Sequence, residues 1–140
     1  IRFASEGAQF ALPEVGHATI PGAGGTQRLS RVVGLGPALD LILTGERISA
    51  ERAFEIGLVT RIASVESFSE DVMALAERIA GLSPLAMRHA KEATVKGFDL
   101  SLQSGMTLEL DLLALLLPTD DRAEASAAFR EKRKPSFKGK

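Results

Sequence analysis

Pro13-Glu14-Val15-Gly16-His17-Ala18-Thr19-Ile20-Pro21-Gly22-Ala23-Gly24-Gly25-Thr26-Gln27 is the stretch on which the reading of this chain turns. From Ile20 to Gln27 it packs one proline and three glycines into eight residues, so the backbone bends tightly there or comes close to something. Two phosphate-loop spacings fail. A dinucleotide pattern starting at Gly22 needs a glycine where Gln27 stands, and a P-loop needs a Gly-Lys pair that the stretch lacks. What remains is a glycine loop running into a helix N-terminus, whose free backbone N–H groups suit an anion, a water or a polarised carbonyl. A tight, closely packed turn accounts for the same glycines without any ligand. Just upstream, Glu14 sits between Pro13 and Val15. A carboxylate among apolar neighbours is a candidate for proton transfer, and the plain alternative is a surface residue at a strand end. His17 and His89 are lone histidines without metal-ligand spacing, and neither is assigned a role.

Outward from this stretch, residues 1–15 alternate loosely in apolar content and read as short strands. Downstream, helices dominate. Residues 27–33 read as a short helix, and Pro37 opens a second that Gly45 stops. Ser49 caps a third over 50–56 with Gly57 as its left-handed terminator, and 58–62 reads as a strand. Ser67 and Glu70 suggest a capping box ahead of Phe68, Val72, Leu75, Ile79 and Leu82, which recur at helical spacing. Ser83-Pro84 starts the next helix, which closes at Gly97. A helix over 102–117 is apolar on more than one face, so it is either central to its own domain or covered on its second side by another subunit, the reading that a chain this small favours. Thr119 or Asp120 caps the last helix, and Pro135 breaks it. About seven helices and two or three strands result, with the strands crowded at the beginning. A lone strand pair is marginal by itself, so the chain reads as one whose sheet lies upstream of residue 1.

Composition narrows the classes. At 140 residues the chain has room for one folding unit, 45% hydrophobic and 25% charged, the balance of a soluble globular protein. No apolar run approaches the roughly 20 residues of a membrane-spanning helix, and the first residues do not resemble a secretory signal. With no cysteine there is no disulfide, zinc-thiolate site or thiol chemistry, which is compatible with a cytoplasmic location. The net charge of −1 is unevenly placed. Residues 130–140 hold six Lys/Arg against one Glu, a net of +5, leaving −6 for the rest. A basic end of this kind is a solvated, helix-ending run or a site for an anionic ligand.

Several segments together resemble the enoyl-CoA hydratase/isomerase (crotonase) family in order and spacing. They are Ala4-Ser5-Glu6 with Ala8-Gln9-Phe10, Leu12-Pro13-Glu14-Val15, the Ile20–Leu29 loop, Leu43-Thr44-Gly45, Gly57-Leu58-Val59, and Ala128-Phe129-Arg130-Glu131-Lys132-Arg133. The resemblance implies an α/β fold of the ClpP/crotonase spiral type, of which this chain would be the C-terminal half. Residues 1–62 would be the end of the ββα spiral core with the Pro-Glu and glycine-rich active-site loop, and 63–140 a helical region mediating trimers or dimers of trimers. By the same resemblance Glu14 is one of two catalytic carboxylates, and Gly22 is the glycine whose N–H helps hold the catalytic water. Pro13, Phe129 and Lys132 are placed in substrate and coenzyme A binding, the latter two across a subunit boundary. The first carboxylate and the oxyanion-hole N–H groups would lie upstream of Ile1. His17 and Ala18 stand where many members have Leu-Gly, which puts the acyl pocket's shape in doubt.

The implied activity is a lyase, the reversible hydration of 2-enoyl-CoA thioesters in fatty acid metabolism, by the full-length protein and not by this fragment alone. No metal and no separate cofactor is implied, since coenzyme A is part of the substrate. Within enzymes, the alternative is an enoyl-CoA isomerase of the same family. Outside them it is an interaction or RNA-binding module carried by the basic end, which ranks below the enzyme because the rest of the chain is acidic.

Overall fold

A computed structural model describes all 140 residues, in the order β1 Phe3–Ser5, β2 Gln9–Phe10, a 3-10 turn Pro13–His17, α1 Gly25–Val33, α2 Leu35–Thr44, β3 Ile48–Ser49, α3 Ala50–Glu55, β4 Arg61–Ala63, α4 Phe68–Ala80, α5 Pro84–Gly97, α6 Leu102–Leu116 and α7 Asp120–Glu131. Where length alone pointed to one folding unit, the chain divides into two compact units, Ile1–Met73 and Ala74–Lys140.

In the first unit β1 pairs with β4 in parallel, Ala4 opposite Ile62, and β2 pairs with β3 antiparallel, Phe10 opposite Ile48. The expected strand over 58–62 begins later. Gly57 turns left-handed (φ 75°), Val59 N–H returns to the Ala53 carbonyl, and only from Arg61 does the chain run straight enough to pair. Two apolar clusters form the core. Ala4, Ala50, Ala53 and Val59 make one, Leu29, Ala38 and Leu41 the other, and Ile48 and Leu58 pack against both. Alanines let the short elements approach closely, but no large side chain is fully enclosed.

The helix ends follow local chemistry. Ser49, Ser83, Ser101 and Thr119 each accept from a backbone N–H three residues on, satisfying one of the donors a helix start leaves free. Gly45 ends α2 in the left-handed conformation (φ 65°). Three local expectations need correction. Helix α2 starts at Leu35, with Pro37 in its third position, which the first turn tolerates because its N–H groups have no intrahelical partner. The Ser67–Glu70 capping box does not form: the Ser67 hydroxyl donates to Asp71 at 2.7 Å, and Ser64 accepts from the Ser67 N–H. The last helix ends at Glu131, four residues before Pro135.

In the second unit α5 and α6 pack where Gly97 meets Gly105, glycines that bring the two backbones together. His89 Nδ1 lies 3.1 Å from the Leu112 carbonyl, the polar end of a packing residue. Only Leu112 and Ala128 are buried apolar residues there, while Leu102, Leu110, Leu113, Leu115 and Leu117 of α6 and its end stay exposed. No helix is long and apolar enough to cross a membrane.

Candidate active site

The turn carrying Glu14 is built from its own residues. Pro13 presets the first helical φ and has no N–H to lose. One turn later Ala18 and Thr19 close it, donating to the Val15 and Glu14 carbonyls at 3.2 Å each. Ala18 sits in the left-handed region at φ 55°. From outside, Gly45 braces the turn: a Cβ there would stand 3.3 Å from the Pro13 Cα, so the end of α2 seats directly on the Pro13 backbone.

Glu14 is half-buried, and its Oε2 is enclosed with no hydrogen-bond partner in the chain. Buried polar oxygens are normally satisfied, and an orphan calls for an explanation such as a ligand, a water or a catalytic task. The glycine loop follows. Pro21 is buried, Gly22 is exposed, and the Gly22 N–H has no partner within the chain. Helix α1 begins at Gly25 after a left-handed Gly24, with neither a side-chain cap nor an acidic residue in its first turn, so its leading N–H groups stay free for an anion or a water. Gly25 is required sterically, since a Cβ there would lie 2.6 Å from the Pro21 Cβ.

A cavity of about 430 Å³ lies beside this loop, lined by Phe10, Leu12, Gly25, Leu29, Leu41 and Leu58 among others, and Glu14 is not part of its wall. Pro13, Glu14 and Gly22 all belong to the first unit. Phe129 and Lys132 belong to the second, three residues apart at the end of α7, with the Phe129 ring 86% exposed and Lys132 left-handed at φ 53°. His17 ends the 3-10 turn in solvent. No group of three or more His, Asp or Glu is arranged to hold a metal ion.

Two carboxylates that sequence reasoning did not single out are prominent on α7. Asp121 is the one buried charged residue, accepting from the Ser83 hydroxyl and from the Lys138 and Gly139 N–H groups. Burial raises its pKa, and these three donors together outweigh that and hold it below the ordinary aspartate value. Glu124 is pulled down to about 2, first by its hydrogen bonds from the Arg133 guanidinium and then by the Ser136 N–H. No pattern of spacing announces either, because the partners lie nine to eighteen residues downstream or, for Ser83, 38 residues upstream.

Residues 1–140 match the enoyl-CoA hydratase/isomerase family. This chain belongs to that family. Among curated relatives, it is 47% identical over 138 residues to a mitochondrial enoyl-CoA hydratase of Pongo abelii, covering 99% of this chain and 48% of the relative. It is 43% identical over 137 residues to the 2,3-dehydroadipyl-CoA hydratase of Escherichia coli, covering 98% and 54%. The crystal structure of an enoyl-CoA hydratase from Bacillus anthracis superposes with a TM-score of 0.97 at 45% identity, over all of this chain and 54% of the other. The α/β crotonase-like fold is thereby shown. The chain spans about half the length of the curated relatives it matches. The comparisons do not bear out its placement in the C-terminal half of such a protein; they give the share spanned.

Proposed function

We propose that the full-length protein is an enoyl-CoA hydratase, adding water reversibly across the α,β-double bond of 2-enoyl-CoA thioesters, with Glu14 exchanging the proton. The observation that carries this reading is the enclosed, unpartnered Glu14 Oε2, in a turn braced by Gly45 and followed by a helix start with free N–H groups. In hydration a water oxygen bonds to Cβ as the π bond breaks, the water gives up a proton, and Cα gains one. A fixed carboxylate with an open lone pair can take the first proton or return the second. The Gly22 N–H, unpartnered within the chain, would help to place that water. The thioester carbonyl would have to be polarised by preorganised donors as well, and losing one such donor typically costs roughly a hundred- to a thousandfold in rate. The relatives named above are hydratases, which favours hydration over isomerisation.

The rest of the reading follows from the second unit. Lys132 and the exposed Phe129 ring would meet the phosphate and adenine end of coenzyme A on a neighbouring subunit, and the exposed leucines of α6 would be covered in a trimer or dimer of trimers. The reaction would need no separate cofactor. A cytoplasmic location is compatible with the lack of cysteine, although relatives include mitochondrial enzymes.

The test is to supply the full-length protein with a 2-enoyl-CoA and follow loss of the conjugated thioester's ultraviolet absorbance. Hydration to the 3-hydroxyacyl product is expected. Conversion of a 3-enoyl-CoA to the 2-enoyl isomer without hydration would replace this reading with the isomerase.

A further inference from the structure

Of the six Lys and Arg in residues 130–140, only Arg133 takes part in an ion pair, which leaves Arg130, Lys132, Lys134, Lys138 and Lys140 free. So many unneutralised cations would ordinarily splay a chain end into solvent. Instead, the residues after α7 fold back onto the helix.

Two carboxylates hold them there. Arg133 forks onto Glu124 at 2.6 and 3.0 Å, and the Ser136 N–H donates to the same side chain at 2.8 Å. Asp121, three residues earlier on the same face of α7, accepts from the Lys138 N–H at 2.7 Å and the Gly139 N–H at 3.1 and 3.2 Å, and its own N–H donates to the Lys140 carbonyl at 3.0 Å. The Ser83 hydroxyl completes the Asp121 shell, and Gly139, left-handed at φ 74°, lies against the Pro84 ring. Glu124 therefore grips the near end of the segment and Asp121 the far end, making residues 133–140 a strap.

The strap acts on Lys132. This residue turns the chain left-handed, so that Arg133 N–H reaches the Ala128 carbonyl at 3.1 Å and Lys132 N–H the Phe129 carbonyl at 3.3 Å. Glycine usually fills that position, and a lysine persists there only where its surroundings over-determine the turn. The next residue, Arg133, supplies that constraint through Glu124 and Glu131.

We propose that Asp121 and Glu124 are positioning residues for an anionic-ligand site: by holding 133–140 as a strap they fix the Lys132 turn, and so the placing of Arg130, Lys132 and the Phe129 ring against the phosphate-bearing end of a ligand. This rests on the acyl-CoA reading given above.

The experiment uses the full-length protein with Glu124→Gln, and with Arg133→Gln to break the same contact from its other side. Two quantities are read: hydrogen exchange at the 136–139 amides, and KM and kcat for an enoyl-CoA against the matching enoyl-pantetheine, which lacks the phosphates. Both variants should speed exchange in the strap and raise KM for the CoA thioester about five- to tenfold, as a site competent for only a fraction of the time must. Turnover number and the pantetheine KM should hold. Unchanged exchange overturns the strap. Faster exchange with an unchanged CoA KM, while Lys132→Ala raises it, overturns the positioning role and leaves the ligand reading standing. If Lys132→Ala also changes nothing, the ligand reading of Lys132 fails and the positioning role with it. Equal losses on both substrates would show a merely structural contact.

Discussion

Ala18→Gly should stabilise the protein, although it removes a methyl group and introduces the most flexible residue. Ala18 closes the Glu14 turn at φ 55°, where a Cβ crowds the following carbonyl. A left-handed L-residue costs about 1–2 kcal/mol, which glycine avoids. Against this, glycine gives the unfolded chain freedom worth roughly 0.5–1 kcal/mol. Ala18 is exposed, so no packed contact is lost, and its N–H bond to the Val15 carbonyl does not depend on the side chain. The balance is about 0–1.5 kcal/mol in favour of glycine. In a full-length protein about twice the length of this chain that raises Tm by at most about 3 °C. Thermal unfolding of the full-length variant beside its parent measures it. A Tm lowered by 2 °C or more would refute the argument, because the strain at Ala18 would then be absent or offset by a contact of its methyl group.

Other predictions concern the brace, the strap, the assembly and the isolated chain. Gly45→Ala should destabilise by about 1–2 kcal/mol, since it combines a left-handed φ with a Cβ 3.3 Å from the Pro13 Cα, and urea unfolding reads the loss. Glu124 should titrate near 2 rather than 4.5. Because its folded pKa is depressed, the stability it contributes is complete above about 4.5 and is lost as pH falls toward 2; a carboxyl titration followed by NMR, with the Ser136 amide shift moving in step, checks it. The isolated 140-residue chain should be oligomeric or aggregation-prone through its α6 leucines, and a clean monomer at tens of micromolar (about that range by light scattering) would count against the covered face. The same chain should hydrate an enoyl-CoA no faster than background.

Helix ends were the most legible features, because each is settled within a few residues: Ser49, Ser83 and Thr119 cap where a hydroxyl faces free N–H groups, and Gly45 stops α2 where only glycine turns left-handed without strain. The same local logic misread Ser67, whose hydroxyl donates to Asp71 and accepts from no N–H of the helix start. It also set the end of α7 at Pro135, when the turn at Lys132 is imposed by Glu124 from within the helix. The Pro-Glu turn and the glycine loop could be read as a candidate site in outline. The closed-off Glu14 Oε2 could not, since that enclosure comes from packing and leaves no mark on the neighbouring residues. The Asp121–Glu124 grip was invisible for the same reason, a contact across up to eighteen positions.

The role of Glu14 is the centre of the account, and Glu14→Gln in the full-length protein tests it most directly. The amide keeps the size of the side chain and the shape of the turn but cannot accept a proton from water. Steady-state hydration of a 2-enoyl-CoA should show kcat lowered by at least about a hundredfold, the usual loss of a positioned acid/base, with KM little changed. A variant that turns over at near the parental rate would contradict the assignment of Glu14 and leave its buried, unpartnered oxygen to be explained another way.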